Sequence, residues 1–245
     1  MSKGKREEVE RGQERSRRKL SSDRFLNAAL ELIQRWGYKK TTMEDIAKQA
    51  GVVKKTVYLH WKSREELFET LLLREWLATI EELKQRLAAD PAGATISSLA
   101  RHVVYITINN PLFRATLLQD REMLGDLTHT RVGQTTLPLR MEMVTGYLEQ
   151  LRQTGLLRTD IEPATQLKII SAIFMGFFMV DQFLPANARF RPEEMAESLA
   201  YTLHRAVEPD EPYAPEAVEK VTRTLDDFLN RLIGTLRPIY EQRIF

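Results

Sequence analysis

Apolar residues recur every three or four positions along most of the chain, which is the spacing of one face of an α-helix. The first clear example ends at Gly37 and holds a stripe of Phe25, Ala29, Leu32, Ile33 and Trp36. No segment shows the sustained alternation of apolar and polar residues that is typical of a half-buried strand. The pattern therefore predicts an all-α protein.

Proline and glycine divide the rest of the chain into further predicted helices. Their predicted spans are Arg64–Ala88, Ile96–Asn109, Leu112–Leu127, Leu139–Gln153, Pro163–Leu184, Pro192–Ala206 and, after a proline-rich linker, about 216–236. The first twenty residues alternate in charge without apolar periodicity and are expected to be disordered away from DNA.

The segment 41–63 predicts two short helices joined by a tight turn at Gly51. Ile46, Ala47 and Ala50 form the buried stripe of the first helix, and Val57 points inward from the second. Glycine suits this turn because it adopts the left-handed conformation without steric cost. Two helices joined in this way form a helix-turn-helix, whose second helix enters the DNA major groove.

Capping patterns mark the ends of these helices. Thr41–Glu44 and Ser63–Glu66 each match a capping box, in which a hydroxyl and a carboxylate satisfy the first free amides of a helix. Val53 stands where the second helix begins and cannot cap it through a side-chain oxygen. That start is held by packing, or Val53 touches a thymine methyl group.

The order of residues from Phe25-Leu-Asn-Ala-Ala-Leu, through Thr41-Thr-Met-Glu-Asp-Ile-Ala and Ala50-Gly-Val, to Thr56-Val-Tyr-Leu-His-Trp-Lys-Ser-Arg-Glu-Glu-Leu67 closely resembles the TetR (TetR/AcrR-like) family of bacterial transcriptional regulators. The resemblance covers roughly residues 22–72. It implies a helix-turn-helix DNA-binding domain at 21–66 and a helical effector-binding and dimerisation domain at 67–245. The apolar periodicity adds an extra helix to this domain at about 216–236. The resemblance also implies that phosphates are contacted by Thr42, Thr56, Tyr58, His60 and Lys62.

Charge is unevenly distributed along the chain. Residues 1–64 contain 17 Lys or Arg and 8 Asp or Glu, whereas the net charge of the whole chain is +2. This asymmetry places a polyanion-binding surface in the N-terminal part. Lys54 and Lys55, at the entry of the second helix, are expected to reach guanine edges or nearby phosphates. Arg18 and Lys19 belong to a basic arm that either enters the minor groove or serves only as a solubilising tail.

The segment Pro163–Leu184 is apolar on every side in its second half, so it must be buried on every side. The resemblance implies that this segment and Pro192–Ala206 form an intersubunit four-helix bundle. The expected dimer contacts are Ala172, Gly176, Val180, Leu199 and Leu203. Ordinary core packing in a monomer is the alternative.

A ligand cavity is a second expectation for this domain. Aromatic and methionine residues that could line an apolar cavity are Tyr105, Phe113, Met141, Tyr147, Phe174 and Phe178. The same residues at helical spacing also suit a plain core. His102, His129 and His204 lack a second ligand four residues on, so neither a metal nor another cofactor is expected.

The sequence contains none of the GxSxG, HExxH, Walker or dinucleotide-binding motifs, so no catalytic residue and no enzyme activity is predicted. It has no cysteine, no secretory signal and no apolar run of the ~20 residues that span a membrane, so we expect a cytoplasmic, nucleoid-associated bacterial protein without a membrane partner.

The prediction is a homodimeric repressor that leaves a palindromic operator in double-stranded DNA when a small, largely apolar effector binds. A DNA-binding architectural or accessory protein of the same fold, with no effector, is the alternative.

Overall fold

The structure is a computed structural model that describes the backbone of residues 3–129 and 131–244 and the side chains of residues 13, 16–127 and 141–244. Its α-helices, numbered α1 to α11, are Lys3–Lys40, Met43–Gln49, Lys54–Tyr58, Arg64–Ala88, Ile96–Asn109, Pro111–Leu118, Arg121–Leu124, Arg131–Gln153, Pro163–Val180, Pro192–Val207 and Pro215–Ile244. Short 3₁₀ helices follow α7 and α9, at Gly125–His129 and Ala186–Ala188. The described residues contain no strand, and the all-α prediction is confirmed.

Two compact units make up the described chain. The first is drawn from Met1–Leu77, Ala115–Gln134 and Gly234–Phe245, and the second from Ala78–Arg114 and Thr135–Ile233. The unit that contains the helix-turn-helix thus includes two later segments that lie outside the predicted boundaries of 21–66.

Helix α1 begins much earlier than the sequence analysis expected. It includes residues 3–20, which were predicted to be disordered, and its exposed residues there include Arg18 and Lys19. Burial of Phe25, Leu26 and Ile33 holds the later turns, and a helix that is already nucleated extends at little further cost. Trp36 departs from the predicted buried stripe, since it is 41% exposed.

Gly37 interrupts helical geometry near the end of α1, with φ of 74° and ψ of 168°. A Cβ atom at this position would lie 2.7 Å from the Glu122 carbonyl oxygen, so only glycine fits. The buried Thr41 hydroxyl donates to the Gly37 carbonyl at 2.9 Å. The predicted Thr41–Glu44 capping box was therefore wrong by one residue, and Thr42 and Asp45 form the box that starts α2.

The predicted helix Leu112–Leu127 is divided into α6, α7 and a 3₁₀ turn. Gln119 takes a left-handed conformation, with φ of 54°, and ends the first piece. The carboxylate of Asp120 then accepts hydrogen bonds from the Glu122 and Met123 amides and starts the second. A left-handed glutamine has no clear signature in sequence, which explains the error.

Three further helix ends differ from the predictions. Helix α8 begins at Arg131 and continues through Pro138, which was predicted to break it. Helix α9 ends at Val180 rather than Leu184, and α11 continues past Leu236 and Pro238 to Ile244. A proline removes one backbone donor from a helix, and in α11 the burial of Leu236 and Ile244 on either side of Pro238 offsets that loss.

The second unit is built around the contact of α10 with α5 and with α9. Leu199 and Leu203 are 0% and 1% exposed in this unit, so their predicted place at a dimer interface is wrong. They lie on the apolar face of α10, and that face covers the core of its own unit. The described residues include one helix, α9, that is apolar and long enough to cross a membrane, and 11% of it is buried.

Candidate nucleic-acid interface

The turn between α2 and α3 fixes the direction of the second helix. Gly51 has a positive φ of 66°, and the Val52 amide donates to the Ala47 carbonyl at 2.9 Å. Ile46 and Val57 are both fully buried, so one apolar contact on each helix holds the pair together. Helix α3 is only one turn and a half long, and its direction depends on this packing.

Val53 occupies the N-cap of α3 without any side-chain hydrogen bond, as its apolar side chain requires. Its side chain is 70% exposed, and Leu59 just beyond the helix is also 70% exposed. Exposed apolar groups beside a polar helix are suited to contact with thymine methyl groups. The exposure of Leu59 had not been anticipated.

The outward face of α3 is basic. Lys54, Lys55 and Lys62 are exposed, Tyr58 is 44% exposed and Thr56 is half-buried. The ammonium of Lys54 lies 3.8 Å from the Glu44 carboxylate, and their side chains are 52% and 78% exposed. Such an exposed ion pair contributes little free energy. Lys54 is therefore able to exchange this partner for a phosphate or a base.

Thr42 is exposed, as a phosphate contact requires, but its hydroxyl already has local partners. It donates to the Asp45 carboxylate at 2.6 Å and accepts from the Asp45 amide at 3.1 Å. The bonds from Thr42 hold the pKa of the Asp45 carboxyl below its usual range. The structure thus gives Thr42 a defined role as the helix cap of α2.

His60 differs from the other predicted phosphate contacts because it is partly internal. Its Nδ1 lies 3.0 Å from the Ser22 hydroxyl, and its ring meets Phe25 edge-on at 5.0 Å. Burial, together with the positive charge of Arg18, lowers the pKa of His60. A neutral ring that is bonded to α1 supplies no positive charge to DNA, so His60 acts first as a tie between α1 and the loop after α3.

The loop that leads from α3 into α4 is held from behind. Trp61 is 0% exposed, and its indole donates to the Thr70 hydroxyl at 3.0 Å. Ser63 caps α4 by accepting from the Glu66 amide at 3.1 Å, as predicted. The Glu66 carboxylate accepts from the Lys62 amide at 2.8 Å, one residue before the predicted partner. Together these bonds fix the backbone from which Lys62 projects.

Arg64 was not singled out from the sequence, yet it connects several parts of the first unit. Its guanidinium lies 4.1 Å from the centre of the Tyr38 ring and donates to the Tyr38 and Thr41 carbonyls. Arg64 therefore joins the start of α4 to the end of α1 and to the residues that lead into α2. A basic residue directly after the Ser63 cap was the only sequence signal for it.

Comparisons with known proteins agree with this geometry. Residues 25–71 match the model of the bacterial regulatory proteins of the tetR family. Residues 25–71 therefore form a TetR-family DNA-binding domain. Relatives of the chain include the fatty acid metabolism regulator protein of Bacillus subtilis, which is 28% identical over 56% of this chain and 66% of its own length. The regulator AcrR of Shigella flexneri is 26% identical over 69% of this chain and 81% of its own.

Solved structures of TetR-family proteins have the same fold. A tetR family regulator from a Shewanella species has a TM-score of 0.57 and 17% identity, and covers 77% of this chain and 98% of its own. The complex of SmeT with triclosan has a TM-score of 0.55 and 19% identity, with coverage of 81% and 97%. The chain is a DNA-binding transcriptional regulator.

The predicted dimer strip lies on the surface of the second unit. Ala172 and Gly176 are exposed, and a Cβ atom added at Gly176 would meet no atom within 4 Å. A shallow apolar groove there is lined by Ala172, Ile173, Gly176, Phe177, Val180, Phe190 and Thr202. Three of the five predicted dimer residues thus lie together on one groove.

The predicted ligand residues are distributed differently. Phe178 is 2% exposed and its ring lies 5.0 Å from that of the half-buried Phe174. Tyr147 is also buried, and its hydroxyl donates to the Ala94 carbonyl. Met141 is 45% exposed. Tyr105 and Phe113 are half-buried, with Arg86 above the Tyr105 ring. Among these residues, Phe174 and Phe178 are in ring contact with each other. The described residues contain no group of three or more His, Asp or Glu that could hold a metal ion.

Proposed function

We propose that the protein is a homodimeric repressor in the bacterial cytoplasm that binds a palindromic operator and leaves it when a small, largely apolar effector binds. The observation on which this depends is the exposed basic face of α3, backed by the fully buried Val57 and Trp61. A rigid backing lets side chains on the outer face be held in a fixed register against DNA.

Base reading is assigned to Lys54 and Lys55, which lie exposed in the first turn of α3. N-terminal residues of a recognition helix approach the base edges, and lysine donates to guanine O6 and N7. Thr56, Tyr58 and Lys62 are assigned to phosphates, which set the docking angle but not the sequence. Arg18 and Lys19, exposed on α1, are assigned to the flanking backbone or minor groove.

Dimerisation is assigned to the groove along Ala172, Gly176 and Val180. Two recognition helices must be about 34–36 Å apart, or a whole number of turns more, to read successive major grooves. A monomer presents only one recognition helix. An apolar strip with room for a neighbouring helix supports a second copy of this chain as its partner.

An apolar effector is supported by two similar proteins. One relative is a regulator of fatty acid metabolism by its name, and SmeT is solved with triclosan. In this chain Tyr105, Phe113, Met141, Tyr147, Phe174 and Phe178 remain the assigned contacts.

Helix α4 begins next to the recognition loop and is 25 residues long, or roughly 37 Å. We propose that ligand binding tilts this helix, since a tilt of about 5° would move its end by roughly 3 Å.

The test begins with a duplex that the unmodified protein selects from a random DNA pool. Apolar ligands that raise its melting temperature are then titrated with and without this duplex. Because linkage is reciprocal, an effector that weakens operator binding must itself bind more weakly to the DNA complex, by about 5–150-fold.

Three outcomes would count against parts of this proposal. Failure to select any sequence would contradict operator recognition. Equal ligand affinities with and without DNA, for every ligand that binds, would favour the accessory-protein function. Turnover of a ligand would contradict the assignment of binding without catalysis.

A further inference from the structure

The last turns of α11 pack against the rest of the first unit through two apolar side chains. Leu236 is 1% exposed and Ile244 is 2% exposed. The segment Gly234–Phe245 belongs to the first compact unit, together with the helix-turn-helix. Its packing therefore contributes to the part of the protein that binds DNA.

Arg243 joins this end to the start of α4. Its Nη1 lies 2.7 Å from the Glu69 carboxylate, and the two side chains are only 19% and 8% exposed. The same nitrogen donates to the Glu66 carbonyl at 3.5 Å. Removing one partner of a buried ion pair leaves the other charge poorly solvated, so this contact constrains the first turns of α4 strongly.

The Glu66 carbonyl also receives a bond that leads to the recognition helix. The Thr70 hydroxyl donates to this carbonyl at 2.7 Å and accepts from the Trp61 indole at 3.0 Å. The Trp61 amide in turn donates to the Val57 carbonyl at 3.1 Å, inside α3. A continuous set of bonds thus connects Arg243, in the last turn of α11, to Val57 in α3.

Tyr240, one turn before Arg243, is held by the same two neighbours. Its ring is half-buried, and burial raises the pKa of its hydroxyl. The negative charges of Asp23 on α1 and Glu75 on α4 raise that pKa further, and Arg74 opposes them. The last turns of α11 therefore lie against both helices that flank the helix-turn-helix.

We propose that residues 234–244 are an integral part of the DNA-binding unit and that Arg243 is a positioning residue for operator recognition. Arg243 acts through Glu66, Glu69 and Trp61 to hold the loop 59–63, from which α3 and Lys62 are presented. This inference rests on the proposed operator binding and extends it to a segment beyond the helix-turn-helix.

The experiment uses the full chain with Arg243→Met, which keeps much of the apolar stem and removes the charge. Arg243→Lys restores the charge and serves as the rescue. Arg223→Met is the matched control, because Arg223 is on the same helix and pairs with Glu219 in a pair whose side chains are 69% and 65% exposed. Operator affinity, affinity for unrelated DNA and amide hydrogen exchange are measured well below the melting temperature of each variant.

Arg243→Met is expected to weaken operator binding by about 2- to 30-fold, as changes along such contact networks do. Its affinity for unrelated DNA should change less, because phosphate charges are unaltered. Amides 59–66 should exchange faster while those of residues 25–33 keep their protection. Arg243→Lys should recover most of the operator affinity, and Arg223→Met should retain it all.

The proposal is overturned if Arg243→Met binds the operator as the unmodified protein does. It is also overturned if exchange rises uniformly across the first unit, which would indicate a purely structural contribution. Failure of the unmodified protein to select a DNA sequence would instead contradict operator recognition itself, so the two failures are distinguishable.

Discussion

Helices α3 and α9 both present an outer face that the chain itself leaves uncovered, but the two faces differ in chemistry. The face of α3 contains Lys54 and Lys55, which water solvates well. The face of α9 contains Ala172, Gly176 and Phe177, which water solvates poorly. A charged exposed face is stable alone and awaits an anion, whereas a continuous apolar face favours a protein partner.

We expect the largest loss of DNA affinity when both lysines on the exposed face of α3 are removed. Lys54→Ala with Lys55→Ala should weaken binding to the selected operator by about 30- to 25,000-fold, since each base contact contributes roughly 1–3 kcal/mol. Fluorescence anisotropy with operator and with unrelated DNA measures both affinity and preference. A double variant with Lys168→Ala and Lys220→Ala, both exposed in the second unit, is the charge-matched control. Full affinity and selectivity in the first double variant would disprove the assignment of base contacts to α3.

A substitution at Gly176 tests whether the exposed apolar face of α9 is a dimer interface. Gly176→Leu should weaken the dimer, because overpacking a close contact costs about 1–3 kcal/mol. In the single chain the new side chain has room, and replacing glycine within a helix gains up to about 1 kcal/mol of stability. Sedimentation equilibrium measures the first effect and thermal unfolding under monomeric conditions measures the second.

Phe178 is the matched position on the covered side of α9. It is 2% exposed, so Phe178→Ala should lower the unfolding free energy by about 3–5 kcal/mol. A dimer unchanged by Gly176→Leu, or an unmodified protein that is monomeric at micromolar concentration, would remove α9 as the interface.

We expect the smallest effect, a change in the pH dependence of the melting temperature, from His60, which joins α1 to the loop after α3. The pKa of His60 is lowered in the fold, so the unfolded chain binds this proton more readily. The contribution of a neutral His60 is therefore complete above the unfolded pKa of about 6.5 and is lost as pH falls below it. Melting temperatures at pH 8 and pH 5 should differ more for the unmodified protein than for His60→Gln. Equal differences would show that His60 does not titrate with folding.

Helix type and several boundaries could be predicted because they depend on neighbouring residues. Helices α4 and α5 have the predicted limits, since Ser63 and Thr95 cap their starts and Asp90-Pro-Ala-Gly separates them. The split after Gln119 could not be predicted, because nothing in its side chain requires a left-handed backbone. The exposed lysines of α3 were predicted from the motif, and the internal bond of His60 to Ser22, 38 residues away, was not.

The capping box of α2 shows the same limit at the scale of one residue. Thr41–Glu44 and Thr42–Asp45 both fit the pattern in sequence. The tertiary structure buries Thr41 against Gly37 and leaves Thr42 to cap the helix. A pattern that two registers satisfy equally is decided by which residue the core can accommodate.

The order of residues was enough to show that this protein is helical, that residues 41–63 form a helix-turn-helix and that α9 is apolar around most of its circumference. The expected burial of α9 on every side is not met within the single chain, where 11% of it is buried. The folded structure was needed to show that Leu199 and Leu203 cover their own core, that Gly176 is open, and that Arg243 pairs with Glu69. Periodicity and capping are local and are read directly from the order of residues. The partner of an apolar face or of a buried charge is set by contacts between residues far apart in the chain, which periodicity does not encode.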